Sequence, residues 1–203
     1  DLSGSNYTGQ EMVLFAFYNS VGTGTQLSRD CLINSSGELK YTQYYKIGAS
    51  SCLTRWTYTD FRTDYNNSGL VHFAIAAEIG TNGGVDTGTS KLYINGVHIP
   101  WDASSPVNTC VSANTFFQSD GDFILCNNVS KPTGYPFYGK ITQVSLWNDK
   151  IGDAGVKALY NNGFYINLTN DSINRLATIS GLLQHWWAMG DTLSDGSMID
   201  DQG

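Results

Sequence analysis

Short apolar stretches, from four to ten residues long, recur along the chain between polar loops. The stretch 12–18 is apolar throughout, which is typical of a strand that is covered on both faces. Residues 52–61 alternate instead, so a strand there places Trp56 and Tyr58 on one face and Arg55 on the other. Further candidate strands lie at 70–79, 91–99 and 123–126. This series of short strands predicts an all-β fold.

Turn signals divide two of these regions into hairpins. Residues 31–45 form two candidate strands around the turn Ser35-Ser36-Gly37. Within 91–99, the pair Asn95-Gly96 supplies the two positive φ angles that a type I′ turn requires. We therefore expect neighbouring strands to pair antiparallel.

One short helix is predicted near residues 152–162. Val156, Leu159 and Tyr160 recur there at helical spacing. Asp153 is the expected cap at its start, and Gly163 is expected to end it.

Composition limits the partners that the chain can have. Charged residues make up only 14% of the 203 residues, and the formal net charge is −7. Since the chain contains no run of basic residues, we expect no nucleic-acid partner. No apolar stretch reaches the 18 residues typical of a membrane-spanning helix, so no membrane insertion is expected. The length suits a single domain over residues 1–203.

The four cysteines are too widely spaced for a paired zinc or redox motif. They are Cys31, Cys52, Cys110 and Cys126. One interpretation pairs Cys31 with Cys52 and Cys110 with Cys126, because each pair brackets one predicted strand-loop-strand unit. The alternative, four buried free thiols, fits equally well because cysteine packs as a small apolar residue.

Several motifs occur in an order that resembles a known family. The strand and turn of 92–97 (LYINGV) are followed by 137–139 (FYG), 141–147 (ITQVSLW) and the helix of 154–163 (AGVKALYNNG). Over roughly residues 11–163 this order resembles the second half of a laminin G-like domain of the concanavalin A-like lectin and glucanase superfamily. The resemblance implies a two-sheet antiparallel jelly-roll β-sandwich.

The C-terminal segment departs from that family pattern. The family's opening strand, with its W-x-x-x-D motif, is missing before Met12, and a similar segment appears at 185–191 as HWWAMGD. We therefore expect residues 181–203 to supply a strand that closes the sandwich; the alternative is that this segment completes a neighbouring copy of the chain. Strand geometry would place Trp186 and Trp187 on opposite faces, with one of them in the core.

The same C-terminal motif suggests a function by resemblance. Domains that contain W-W-x-M-G-D resemble structural proteins of marine bacterial viruses, such as head decorations, knobs and fibres. The resemblance implies a non-enzymatic protein of a virion surface or of the extracellular space, with a role in glycan binding or host attachment. The expected partners are other virion or capsid proteins, further copies of this chain and cell-surface glycans.

Candidate site residues follow from the resemblance to the concanavalin A-like superfamily. Aromatic rings that stack on sugars, with polar neighbours that bond their hydroxyls, are expected among Trp56, Tyr58, Trp101, Asp102 and Tyr135. Calcium is the one cofactor that we consider, held by the acidic cluster of Asp191, Asp195, Asp200 and Asp201. The alternatives are packing for the aromatic residues and plain surface charge for the aspartates.

Two other functions remain open. A secreted calcium-dependent lectin or adhesion module would use the same residues. A glycoside hydrolase or lyase would need two carboxylates that converge on the sugar. Because Glu11, Glu38 and Glu78 are at least 27 positions apart, the paired-glutamate strand of the superfamily's glucanases is absent. We therefore expect no enzymatic activity.

Overall fold

The computed structural model describes residues 11–19, 26–47, 50–66, 68–78, 89–109, 115–116, 123–126, 137, 141–164, 166, 168, 176 and 179–187. Six residues that were singled out from the sequence lie outside these ranges. They are Cys110, Tyr135, Asp191, Asp195, Asp200 and Asp201. The calcium prediction therefore stays a prediction.

Strands dominate the described residues. They are β1 (Met12–Asn19), β2 (Gln26–Ile33), β3 (Leu39–Ile47), β4 (Ser50–Tyr58), β5 (Phe73–Glu78), β6 (Thr89–Ile94), β7 (Val97–Ile99), β8 (Val107–Asn108), β9 (Thr115–Phe116), β10 (Phe123–Leu125), β11 (Val144–Trp147) and β12 (Leu183–Trp187). The α-helices are α1 (Phe61–Tyr65) and α2 (Asp153–Tyr160), and short 3-10 helices occupy Asn161–Gly163 and Ser180–Leu182. Strand pairing is antiparallel throughout the registers that are described. The all-β class is confirmed, while the jelly-roll arrangement stays a prediction.

The chain forms two compact units, each built from three segments. Unit 1 comprises Asp1–Gly69, Ala77–Ser90 and Pro100–Gly139, and unit 2 comprises Leu70–Ala76, Lys91–Ile99 and Lys140–Gly203. Because these segments alternate along the sequence, neither unit is one continuous piece of chain. That the two units form a single domain stays a prediction.

Unit 1 contains a sheet with the strand order β10-β1-β2-β3-β4-β8, and β9 pairs with β3. The hairpin predicted around Ser35-Ser36-Gly37 is confirmed, since β2 and β3 pair antiparallel. Ile33, at the end of β2, lies opposite Leu39, at the start of β3. Gly37 adopts a φ of 90°, a left-handed conformation that favours glycine. One apolar cluster on this sheet consists of Val13, Ala16, Tyr18 and Leu32, with Ile124 packed against it.

Unit 2 contains β7, β11, β12 and α2, together with residues 73–76 of β5 and 91–94 of β6. Side chains from the sheets β5-β6-β7 and β11-β12 and from the helix share one core, whose buried members are Tyr93, Ile151, Val156, Ile166, Leu168, Leu176, Ile179 and Trp186. Trp147 packs against this cluster. The β6–β7 turn has positive φ angles of 51° at Asn95 and 75° at Gly96, which confirms the predicted turn.

Helix α2 begins differently from the prediction. Gly152 occupies the N-cap position and no side chain caps the helix, so the capping role assigned to Asp153 is wrong. The Asp153 carboxylate instead accepts hydrogen bonds from the Tyr93 hydroxyl at 2.6 Å and from Lys91 Nζ at 3.2 Å. The helix ends at Tyr160 because Asn161 turns left-handed, with a φ of 45°.

The C-terminal tryptophans do lie on a strand. β12 pairs with β11, and Trp186 lies opposite Ser145. Trp186 is 2% exposed and belongs to the core of unit 2, while Trp187 is half-buried. The Trp187 ring stacks on His185 with centroids 5.5 Å apart. The alternation of the two tryptophans is thus confirmed; that β12 closes a jelly roll stays a prediction.

The proposed disulfides are not formed. Cys31 and Cys126 are both free thiols. Across the sheet, Cys31 on β2 lies opposite Tyr41, which lies opposite Trp56, whereas Cys52 is four residues further along β4. With β3 between them, the Cα atoms of Cys31 and Cys52 are separated by roughly 16 Å. This is more than twice the Cα–Cα distance that a disulfide can bridge. The Cys31–Cys52 pairing is therefore wrong.

Candidate functional site

The structure separates Trp56 from the other candidate sugar-binding residues. Trp56 is 4% exposed, and its ring stacks on Tyr41 with centroids 5.7 Å apart. A ring packed in this way has no face open to a sugar. The assignment of Trp56 to a carbohydrate site is corrected on this ground, and its role is packing within unit 1.

Tyr58, Trp101 and Asp102 are described at or near the surface of unit 1. They belong to a group that we call the β4 rim, which consists of Tyr58, Thr59, Asp64, Tyr65, Trp101 and Asp102. Hydrogen bonds connect the end of β4 to α1 on one side and to the loop 100–106 on the other. Thr59 and Asp64 are exposed, and the other four members are half-buried.

Asp102 is the residue that fixes the loop to the strand. Its Oδ2 accepts a hydrogen bond of 2.6 Å from the Thr59 hydroxyl, and its Oδ1 accepts one of 3.3 Å from the Thr59 backbone N–H. Its own backbone N–H donates to the Thr57 carbonyl at 2.9 Å. Ser105 adds a further link, because its Oγ accepts from the Thr57 N–H at 2.9 Å. The loop is therefore held at several points rather than at one.

Trp101 is held in place by a hydrogen bond from its indole and by the anchored residue that follows it, Asp102. The indole Nε1–H donates to the Ser90 carbonyl at 3.0 Å. With its polar atom engaged, the half-buried ring can offer only an apolar surface to a ligand. A fixed, partly exposed indole of this kind is suited to stacking.

Tyr58, Asp64 and Tyr65 form the other side of the β4 rim. The Tyr58 hydroxyl donates a hydrogen bond to Asp64 Oδ2. Desolvation, followed by that hydrogen bond, raises the pKa of Tyr58 well above its ordinary value. Desolvation and the charge of Asp64 also raise the pKa of Tyr65. Both phenols therefore stay protonated at neutral pH, and that of Tyr58 is the donor to Asp64.

Sequence reasoning missed Asp64 and Tyr65 because it missed α1. The available signal was the spacing of Phe61 and Tyr65, since residues four apart face each other on a helix. Their rings lie 5.5 Å apart. It also missed Asp30, a buried aspartate inside β2, whose only signal is a charge within a strand.

In the part of the chain that the structure describes, no three His, Cys, Asp or Glu side chains are arranged to hold a metal ion. Among the helices of the same residues, none is long and apolar enough to cross a membrane.

Comparison of the chain with family models, with curated proteins and with solved structures finds no match. The resemblance to laminin G-like domains consequently stays a prediction.

Proposed function

We propose that this protein is a non-enzymatic structural module of a virion surface or of an extracellular assembly, and that its β4 rim binds glycans. The observation that carries the glycan-binding part is the anchoring of Asp102 to Thr59 at the end of β4 and of the Trp101 indole to the Ser90 carbonyl of β6. A site that is ordered before the ligand arrives loses less conformational entropy on binding.

The chemistry of the β4 rim matches that of a neutral sugar. Trp101, Tyr58 and Tyr65 offer half-buried rings for the apolar C–H faces of a pyranose. Asp64 and Asp102 offer carboxylate oxygens that accept hydrogen bonds from sugar hydroxyls. Because Asp60 adds a third carboxylate nearby, an uncharged glycan fits this rim better than an anionic one.

The structural role rests on the family resemblance together with composition. An exterior with few charges and many Ser, Thr, Asn and Tyr side chains suits a protein that contacts other proteins and glycans. The partners proposed are further copies of this chain and neighbouring virion proteins. Mass spectrometry of purified particles tests this part: the chain should be present in stoichiometric amount, and its absence from particles would contradict it.

Glycan binding is tested by substitution of Trp101. Wild type and Trp101→Ala are compared on an array of neutral and acidic glycans, and the best ligand is then measured by calorimetry. Loss of a stacking aromatic residue should weaken binding by about tenfold or more. Phe164→Ala is the matched control, since Phe164 is 74% exposed and belongs to unit 2.

Three results would contradict this proposal. They are no retained glycan, equal affinity of wild type and Trp101→Ala, or equal weakening by the Phe164 control. Turnover of a bound polysaccharide would favour the hydrolase or lyase alternative instead. Repeating the measurement with a chelator distinguishes the calcium-dependent lectin, whose binding would disappear.

A further inference from the structure

A buried carboxylate lies in the middle of unit 1, away from the β4 rim. Asp30 on β2 is 2% exposed. Its Oδ2 accepts a hydrogen bond from the Tyr44 hydroxyl at 3.1 Å, whereas its Oδ1 is buried without any hydrogen-bond partner. A buried carboxylate oxygen in this condition is costly if the group carries its charge.

The surroundings of Asp30 form a network on one face of the sheet. Asp30 lies directly opposite Thr42, and Thr42 lies directly opposite Arg55, so the three side chains form a row across β2, β3 and β4. The Thr42 hydroxyl accepts a hydrogen bond from Arg55 Nε at 3.2 Å. Tyr44 lies two residues further along the same face of β3, and its hydroxyl donates to Asp30 Oδ2. The Arg55 guanidinium is thus bound to Thr42, the residue that lies between Arg55 and Asp30 in this row.

The charged groups around Asp30 do not offset its burial. Among the described residues, Arg55 of β4 favours the ionised form, while Glu11, just before β1, opposes it. The partner of Asp30 on β1 is Ala16, which brings no charge. Desolvation is the largest influence and raises the pKa of Asp30 to about 6. The charge of Asp30, in turn, adds to the burial that raises the pKa of Cys31.

We propose that Asp30 is a proton-operated switch, in which loss of its proton draws the Arg55 guanidinium away from the Thr42 hydroxyl and onto Asp30 Oδ1. With the proton present, the carboxyl group is neutral and the described network is the stable one. Without it, Oδ1 carries an unpaired charge, and Arg55 is the cation placed to reach it. Arg55 is half-buried, so its side chain is partly exposed to solvent.

The direction of the pH effect follows from linkage. Since Asp30 binds its proton more tightly when folded than when unfolded, its contribution to stability is complete below pH 4 and is lost as the pH rises to about 6. Above that pH the loss is constant. The effect is opposite to that of a carboxylate in a surface ion pair.

Thermal unfolding of Asp30→Asn tests the switch. The Tm of Asp30→Asn minus that of wild type should increase by roughly 5–10 °C between pH 4 and pH 8. Asp149→Asn, which changes an exposed aspartate, should show no such increase. A difference in Tm that is independent of pH would overturn the proposal.

NMR of the wild type tests the movement itself and requires no variant to fold. The Asp30 carboxyl carbon and the Arg55 Nε–H should titrate together, with one midpoint near pH 6. An Asp30 midpoint below pH 4, or an Arg55 signal that stays constant while Asp30 titrates, would each refute the switch.

Discussion

At the scale of single residues, hydrogen bonds place the polar side chains on which this account depends. Asp102 satisfies both carboxylate oxygens with Thr59, and so joins a loop to a strand. Asp30 satisfies one oxygen and leaves the other buried and unpaired. Asp102 therefore fixes a surface loop, whereas Asp30 is a carboxyl group whose charged form is destabilised by burial. Each aspartate therefore has a different role, set by its surroundings.

Cys31 gives a prediction at this scale. Burial, and secondly the charge of Asp30, raise the pKa of the Cys31 thiol, so the reactive thiolate is scarce. We expect Cys31 to resist alkylation in the native protein and to react fully after denaturation. Peptide mapping by mass spectrometry without reductant measures both states. A peptide linking Cys31 to Cys52, or rapid native labelling of Cys31, would show that the register or the burial is wrong.

At the scale of elements, β12 places two adjacent tryptophans in different surroundings. Trp186 fills the core of unit 2, which also contains Tyr93 and Val156. Trp187 points to the other face and stacks on His185. One strand thus combines a residue that supports the fold with one that covers its outer face.

Substituting the two tryptophans separates these roles. Trp186→Ala removes a fully buried aromatic side chain and should lower the free energy of unfolding by about 3–5 kcal/mol. Trp187→Ala should cost less than about 1.5 kcal/mol, since its ring is already partly solvated. Chemical denaturation monitored by circular dichroism compares them. Equal losses for both variants would mean that β12 is not laid against the core as described.

At the scale of the whole molecule, features that depend on residues close together in the sequence were predicted correctly. Features that depend on contacts between strands were not. The turn at Asn95-Gly96 and the helix near Val156 depend on local sequence, and both are present. The failed Cys31–Cys52 pairing and the overlooked Asp30 network depend on strand register, which one sequence read in order does not display. Helix α1 was missed because a single turn carries too short a pattern.

The residues proposed for ligand binding and those of the C-terminal strand belong to different compact units. The β4 rim and Asp30 belong to unit 1, whereas Trp186 and α2 belong to unit 2. Variants can therefore address binding and C-terminal strand packing with separate sets of residues. Assembly with other copies or with virion proteins remains a proposal that the particle analysis tests.

The most direct measurement is a crystal structure of the protein with the best glycan from the array. The account predicts a sugar ring stacked on Trp101, with a ring hydroxyl donating to the carboxylate of Asp102 and the loop 100–106 unchanged from the unbound protein. A sugar bound elsewhere, with Trp101 still uncovered at saturating ligand, would contradict it.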